Sequence, residues 1–247
     1  MLALVVALVA ASADLASADE PTIVQVGGPL PIINGGFSPT ALPRNKLAHI
    51  AMDLSSKVET PEGTHPPALH EVILELDKNV AVGAKGLPRC PRRVEEEEGE
   101  ERCRPALVGR GTMEVEVEFP EQKPFIAKSK LLAFNGGVKG GVTTIFTHAY
   151  LSAPVSAAVV TTIEVSKVHN GRYGTNWVET FPKIAGGYGS ITSFSLTVDR
   201  QFTYRGKRRS YLLAKCPDGH LNAHATSIFS DGSEQPDSFV RPCTPKG

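Results

Sequence analysis

Helical periodicity is what this sequence lacks most. After the first twenty residues no stretch keeps apolar side chains at a 3.6-residue spacing over the length of a helix, which excludes a helical bundle. Net charge is absent too: 26 Lys and Arg balance 26 Asp and Glu, so no global field steers the chain to nucleic acid or membrane. There is one Trp, and there are four Cys with no C-x-x-C pair among them, a pattern that does not suit zinc. No second long apolar run follows the first, so the body of the chain holds no transmembrane segment. Catalytic phrases are also missing: G-x-S-x-G, H-E-x-x-H, a P-loop and a dinucleotide fingerprint. The nearest approach to a nucleophile elbow, Gly187-Tyr188-Gly189-Ser190, has a different spacing and leads into an extended run.

What is present begins at the start. Leu2 to Ala11 is an unbroken run of Leu, Val and Ala, and Ala16-Ser17-Ala18 follows at the distance of a small-residue cleavage site. This reads as a secretory signal over 1–18, too short to span a bilayer, although no Lys or Arg precedes Arg44. The expectation is a secreted or cell-envelope-associated protein. Residues 19–44, rich in Pro and Gly, read as an irregular N-terminal arm, and 45–247 as a single domain holding a charged insert at 85–111.

Short alternating runs fill that domain. Met113, Val115, Val117 and Phe119 alternate with Thr112, Glu114, Glu116 and Glu118, the signature of a half-buried strand. Phe194, Leu196 and Val198 alternate with Ser193, Ser195, Thr197 and Asp199 in the same way, and Val72, Leu74 and Leu76 do so more weakly. Thr143 to Leu151 and Ala158 to Val168 are apolar on much of both faces and suit central strands. Asn135-Gly136, Asn170-Gly171, Arg205-Gly206, Asp218-Gly219 and Asp231-Gly232 supply turns. The expected fold is all-β: an antiparallel β-sandwich of about ten strands, Ig-like or jelly-roll-like, with one short helix around Val94 to Arg102. Two stacked smaller sandwiches are the alternative.

The four cysteines agree with an oxidising compartment, where three pairings are open. Sequence locality favours Cys90–Cys103 and Cys216–Cys243. The acidic run Glu95 to Glu98, continued by Glu100 and Glu101, is flanked by Arg89, Arg92, Arg93, Arg102 and Arg104. Calcium loops space their oxygen ligands at alternate positions, so contiguous Glu reads as a solvated, self-compensated loop.

The candidates for ligand contact are basic and aromatic. Arg205, Lys207, Arg208 and Arg209 crowd a hairpin tip flanked by Tyr204 and Tyr211, a combination that can hold phosphate polymers or acidic glycans. Trp177, with Tyr173 and Tyr188 nearby in sequence, would form a glycan platform if exposed, or close one end of the sandwich if buried. His220 and His224, on one strand face, would stand too far apart for one metal ion. Asp77, Glu164 and Glu179 are carboxylates that a glycosidase would need, with nothing in the sequence to pair them.

The phrases Thr147-His148-Ala149-Tyr150, His169-Asn170-Gly171-Arg172-Tyr173-Gly174, Pro182-Lys183-Ile184-Ala185-Gly186-Gly187, Lys215-Cys216-Pro217-Asp218-Gly219 and Cys243-Thr244-Pro245-Lys246-Gly247 resemble a group of secreted actinobacterial proteins without an assigned activity. The similarity covers roughly residues 40–247 and is strongest after Phe134. Those proteins carry a paired-cysteine insert with a stretch richer in Thr, Ala and Gln where this chain has its Glu run, which argues against the Glu run as a required site. The resemblance implies export and supplies no catalytic residues.

Together these readings point to a non-catalytic, exported binding or structural module. It would need no cofactor, and its partner would be a cell-wall glycan, an anionic polymer or another protein. A carrier of an apolar ligand between the sheets is the next reading, and a hydrolase on an unfamiliar scaffold the third.

Overall fold

The structure, a computed structural model, describes residues 30–60, 63–91 and 100–247. The signal expected at 1–18, the start of the arm (19–29) and most of the acidic run lie outside the described residues.

The chain is all-β. Its strands are β1 (Leu30–Ser38), β2 (Ala41–Pro43), β3 (Ala48–His49), β4 (Ala51–Glu59), β5 (Leu69–Asp77), β6 (Val80–Val82), β7 (Leu107–Val117), β8 (Phe125–Lys139) and β9 (Val142–Leu151). They continue with β10 (Ala157–Asn170), β11 (Tyr173–Thr180), β12 (Gly189–Val198), β13 (Gln201–Tyr204), β14 (Lys207–Ser210), β15 (Leu212–Ala214), β16 (His220–Phe229), β17 (Glu234–Pro242) and β18 (Thr244–Lys246). Eleven of them form one sheet in the order β1-β4-β12-β7-β8-β9-β10-β11-β5-β16-β17, so the two facing layers of this sandwich-like fold are parts of one sheet curled almost into a barrel. In place of an irregular arm, residues from Leu30 onward form β1, paired along its length with β4. An edge strand tolerates Pro31, whose missing N–H would break a central ladder.

Period-2 alternation decides the faces. Met113, Val115 and Val117 on β7 are buried while Arg110 and Thr112 are exposed and Glu114 and Glu116 half-buried. Side chains from all eleven strands meet in one apolar core, among them Ile33, Met52, Leu76, Val115, Ala133, Ile145, Ile163, Trp177, Leu196, Ala225 and Phe239. Each fully buried Val, Leu or Ile contributes about 1.5–3 kcal/mol. The inside is apolar, the reverse of the polar lumen of a membrane channel barrel. No helix among the described residues is long and apolar enough to cross a membrane.

Every neighbour pair in the large sheet is antiparallel. An odd number of such strands leaves β1 and β17, the two edges, running the same way. They meet at a seam that side chains close: Arg241 Nε and Nη2 donate to the Gly35 carbonyl and to Asn34 Oδ1 (both 2.5 Å). The Phe239 ring lies against Gly35, where an added Cβ would come within 3.0 Å of it.

Alternation also sorts the ends. Strands β1, β12, β8, β10, β5 and β17 finish at one end of the barrel, which the short sheet β3-β15-β6 and the parallel pair β2-β18 cover. Leu42, Tyr211, Leu212, Ala214 and Cys216 of this cap are completely buried. Both expected disulfides form: Cys216–Cys243 ties the cap, and Cys90–Cys103 packs with Ala106, Leu107, Leu132 and Phe134 in a separate apolar cluster. Asp77, at the end of β5, is buried and accepts from four donors: Asn79 N–H (2.9 Å), Asn79 Nδ2 (2.8 Å), Asn222 N–H (3.0 Å) and Asn222 Nδ2 (2.9 Å). With its lone pairs committed to the cap, Asp77 is a structural anchor. The expected helix in the disulfide-bounded insert is described over 100–103, followed by a 3-10 turn over Arg104–Ala106.

Candidate functional site

The capped end carries the basic surface. Strands β13 and β14 pair as a two-residue hairpin with Arg205 (φ 51°) and Gly206 (φ 71°) at its tip, the left-handed pair that a tight hairpin turn requires. Tyr204 lies on Gly86, where an added Cβ would sit 2.3 Å from the ring, so the bare glycine seats the hairpin. Arg205, Lys207, Arg208 and Arg209 are all exposed, and residues 201–210 include no acid. At the root of the hairpin, burial lowers the pKa of His49, with Asp199 opposing and Arg208 reinforcing. Burial likewise raises the pKa of Tyr211.

Beside the hairpin, strand β6 pairs with β15 and forms one wall of a cleft of about 540 Å³ at the barrel mouth. Three tight turns frame it: the β5–β6 turn with Lys78, the β8–β9 turn with Gly141, and the β10–β11 hairpin from Val168 to Gly174. Lys78, Lys167, His169 and Tyr173 stand on the rim, and Thr143, Val165, Thr175 and Val80 line its base. No carboxylate is among the described residues that line it. Lys78 Nζ donates to the Gly171 carbonyl (3.2 Å), which ties two of the turns together.

The expected aromatic platform is not assembled. Trp177 is 4% exposed and its Nε1 donates to Thr175 Oγ1 (3.2 Å), so it lies in the core and not on an exposed platform. The inward parity of β11, shared with Thr175, puts it there. Tyr173 and Tyr188 lie at opposite ends of the barrel. Tyr188 is 44% exposed and packs on Phe119 (ring centroids 5.6 Å), which in turn meets Phe125 (6.2 Å). Only Tyr173 lines the cleft, and its ring lies 6.5 Å from that of His224.

At the uncapped end the fold makes a constellation that sequence reasoning missed. His65 Nδ1 lies 2.8 Å from Glu116 Oε1, and His65 Nε2 lies 3.1 Å from Ser190 Oγ. Glu118 Oε2 stands 3.7 Å from Nδ1. Ser190 faces Glu116 across the β12–β7 ladder, and the segment 63–68 lays His65 over both. This is the hydrogen-bond order of a Ser–His–carboxylate triad. Yet Ser190 is 2% exposed and its hydroxyl donates to the Pro66 carbonyl (2.7 Å). A nucleophile needs room for a reacting carbon and donors for its oxyanion, and Ser190 sits sealed beneath that segment. As it stands the group latches His65 and Pro66 onto the barrel wall.

Glu179 is a further titratable group of the interior. Glu179 accepts from Thr161 and from Thr147 (3.3 Å), hydroxyls on adjacent strands, and burial raises its pKa above 4.5. With Met113, Leu131, Phe194 and others these residues line a cavity of about 30 Å³, and a second cavity of about 40 Å³ lies behind the seam. Each has room for a water and no more. Glu164 is exposed and distant in register from Asp77, so the three carboxylates do not pair. Among the described residues no three His, Cys, Asp or Glu side chains converge on a point that could hold a metal; His224 Nδ1 bonds Ser238 Oγ (2.7 Å) instead.

No protein-family model, curated protein or solved structure matches this chain.

Proposed function

We propose that this is an exported, non-catalytic β-protein of the extracellular space or cell envelope that binds an anionic polymer or acidic glycan through its capped end. The observation that carries the reading is the hairpin β13–β14: four exposed cations with no acid among residues 201–210, held rigid by the Tyr204–Gly86 contact. Such a patch attracts phosphate-, carboxylate- or sulfate-bearing chains, and salt screens the attraction. The apolar run at Leu2–Ala11 and two disulfides support export. The small interior cavities favour this reading over a carrier of an apolar ligand, which needs about 300 Å³ or more.

The test is binding to immobilised heparin and polyphosphate over a salt series, with the parent chain and with Arg205, Lys207, Arg208 and Arg209 changed to Ser. Four surface contacts of a few tenths of a kcal/mol each predict a loss of about tenfold. Equal binding by the two proteins, or none by the parent, refutes the proposal.

A second reading, a serine hydrolase, is favoured by the order Ser190–His65–Glu116. It requires the segment 63–68 to lift. A fluorophosphonate probe that labels the parent and not Ser190→Ala would establish it. The latch reading expects no label, and about 1 kcal/mol lost on removing the buried hydroxyl.

A further inference from the structure

The hairpin explains attraction to a polyanion but not recognition of any unit within it. The mouth cleft offers that. We infer that this cleft is a subsite for the acidic end of a saccharide: a sugar ring laid on Tyr173 with its carboxylate or phosphate between Lys78, Lys167 and His169. The inference rests on the anionic-ligand reading and deepens it.

Four features of the cleft argue for this occupant. Its volume, about 540 Å³, lies in the range of small-ligand sites, unlike the interior cavities. Its rim carries two lysines and a histidine with no acid among the described residues lining it. An unopposed pair of ammonium groups at a concave mouth concentrates anions more than the same pair on a flat face does. Tyr173 supplies an amphipathic ring with a polar tip, the surface a sugar's C–H face stacks on. Finally, Gly141, Gly171 and Gly174 line the cleft without side chains of their own. Gly174 has no room for anything larger, since a Cβ there would fall 2.6 Å from Lys78 Cα.

The three framing turns make the cleft short. It therefore accepts a terminal ring or a single internal unit, while the hairpin holds the neighbouring chain. Lys167 is exposed, so it is the cleaner position to change; Lys78 bridges to Gly171.

The experiment is calorimetric titration of the full chain with hyaluronan tetrasaccharide, its carboxyl-reduced form and inorganic phosphate, using the parent, Lys167→Glu, Tyr173→Ala and the four-Ser hairpin variant. Emission of the buried Trp177 verifies each fold. The inference expects tetrasaccharide affinity to fall at least tenfold in Lys167→Glu and in Tyr173→Ala, and to stay within about threefold in the hairpin variant. It also expects the carboxyl-reduced sugar and phosphate alone to bind at least tenfold more weakly. Unchanged affinity in both cleft variants, equal binding of the reduced sugar, or no tetrasaccharide binding at millimolar concentration each overturns it. Heparin binding that is lost in the hairpin variant and kept in the cleft variants would overturn the cleft subsite while leaving the anionic-polymer function standing.

Discussion

Breaking Cys216–Cys243 removes the covalent tie that holds the start of β18 in the cap. The bridge spans 27 residues, and Cys90–Cys103 spans 13. In the chain-entropy treatment these loops stabilise the fold by about 3.5 and about 3 kcal/mol. A domain of this size shifts its melting midpoint by about 2–4 °C per kcal/mol, so losing the longer bridge alone should lower it by about 7–14 °C. Local structure adds to the loss. Cys243 N–H donates to the Gly219 carbonyl (2.8 Å), Cys216 N–H to that of Pro43 (2.9 Å), and β18 pairs with β2. Cys90–Cys103 instead encloses an insert outside the large sheet. The paired variant Cys216→Ser/Cys243→Ser should therefore melt below Cys90→Ser/Cys103→Ser, and both below the parent, in a thermal scan followed by far-ultraviolet circular dichroism. Midpoints within about 2 °C of the parent for both variants would refute the reasoning, as would no response of the parent to a reductant.

Glu179 should give a pH signature. Its folded-state pKa is raised by burial, so the fold binds its proton more tightly than the unfolded chain does; the stabilisation is full below pH 4.5 and is lost as pH rises through the folded pKa. Glu179→Gln should flatten the fall of the melting midpoint between pH 4 and pH 8, and an unchanged slope would count against it. Trp177→Ala should destabilise by about 3–5 kcal/mol in urea unfolding without moving heparin affinity in the fraction still folded. Parent Trp emission should be blue and resist iodide quenching; a quenchable, red-shifted band would put Trp177 back on the surface. Arg241→Ala should accelerate amide exchange along β1 and β17 while leaving β8 and β9 protected, and uniform exchange would show that the seam does not depend on it.

Periodicity made most of the strands legible. The alternation over Thr112 to Phe119 became β7, that over Ser193 to Asp199 became β12, and the doubly apolar runs became the central strands β9 and β10. One turn signal was misleading. Asn135-Gly136 lies inside β8, at a bulge: the Asn135 amide is turned inward to the Pro88 carbonyl (2.9 Å), and Gly136 makes room for the Phe146 ring. The pair that bends a hairpin elsewhere here bends a strand, and only the partner at Pro88 distinguishes the two. The hairpin cations were legible because they are contiguous. The cleft was not, since Lys78 and Lys167 become neighbours only through the β5–β11–β10 order. His65 and Ser190 were equally remote, 125 positions apart, and neither stands in a catalytic phrase.

An antiparallel ring closes on itself only with an even count. With eleven strands this one is a split collar, joined across the split by the side chains of Arg241 and Phe239 rather than by a ladder. It can widen along the split without surrendering a ladder bond. The cap, stitched by Cys216–Cys243, covers one rim, so the freedom is graded along the axis: least beside the basic hairpin and its cleft, greatest at the far rim, where the His65 latch sits. A stiff mouth and a compliant base suit a molecule that presents a fixed contact surface outward while the rest absorbs strain.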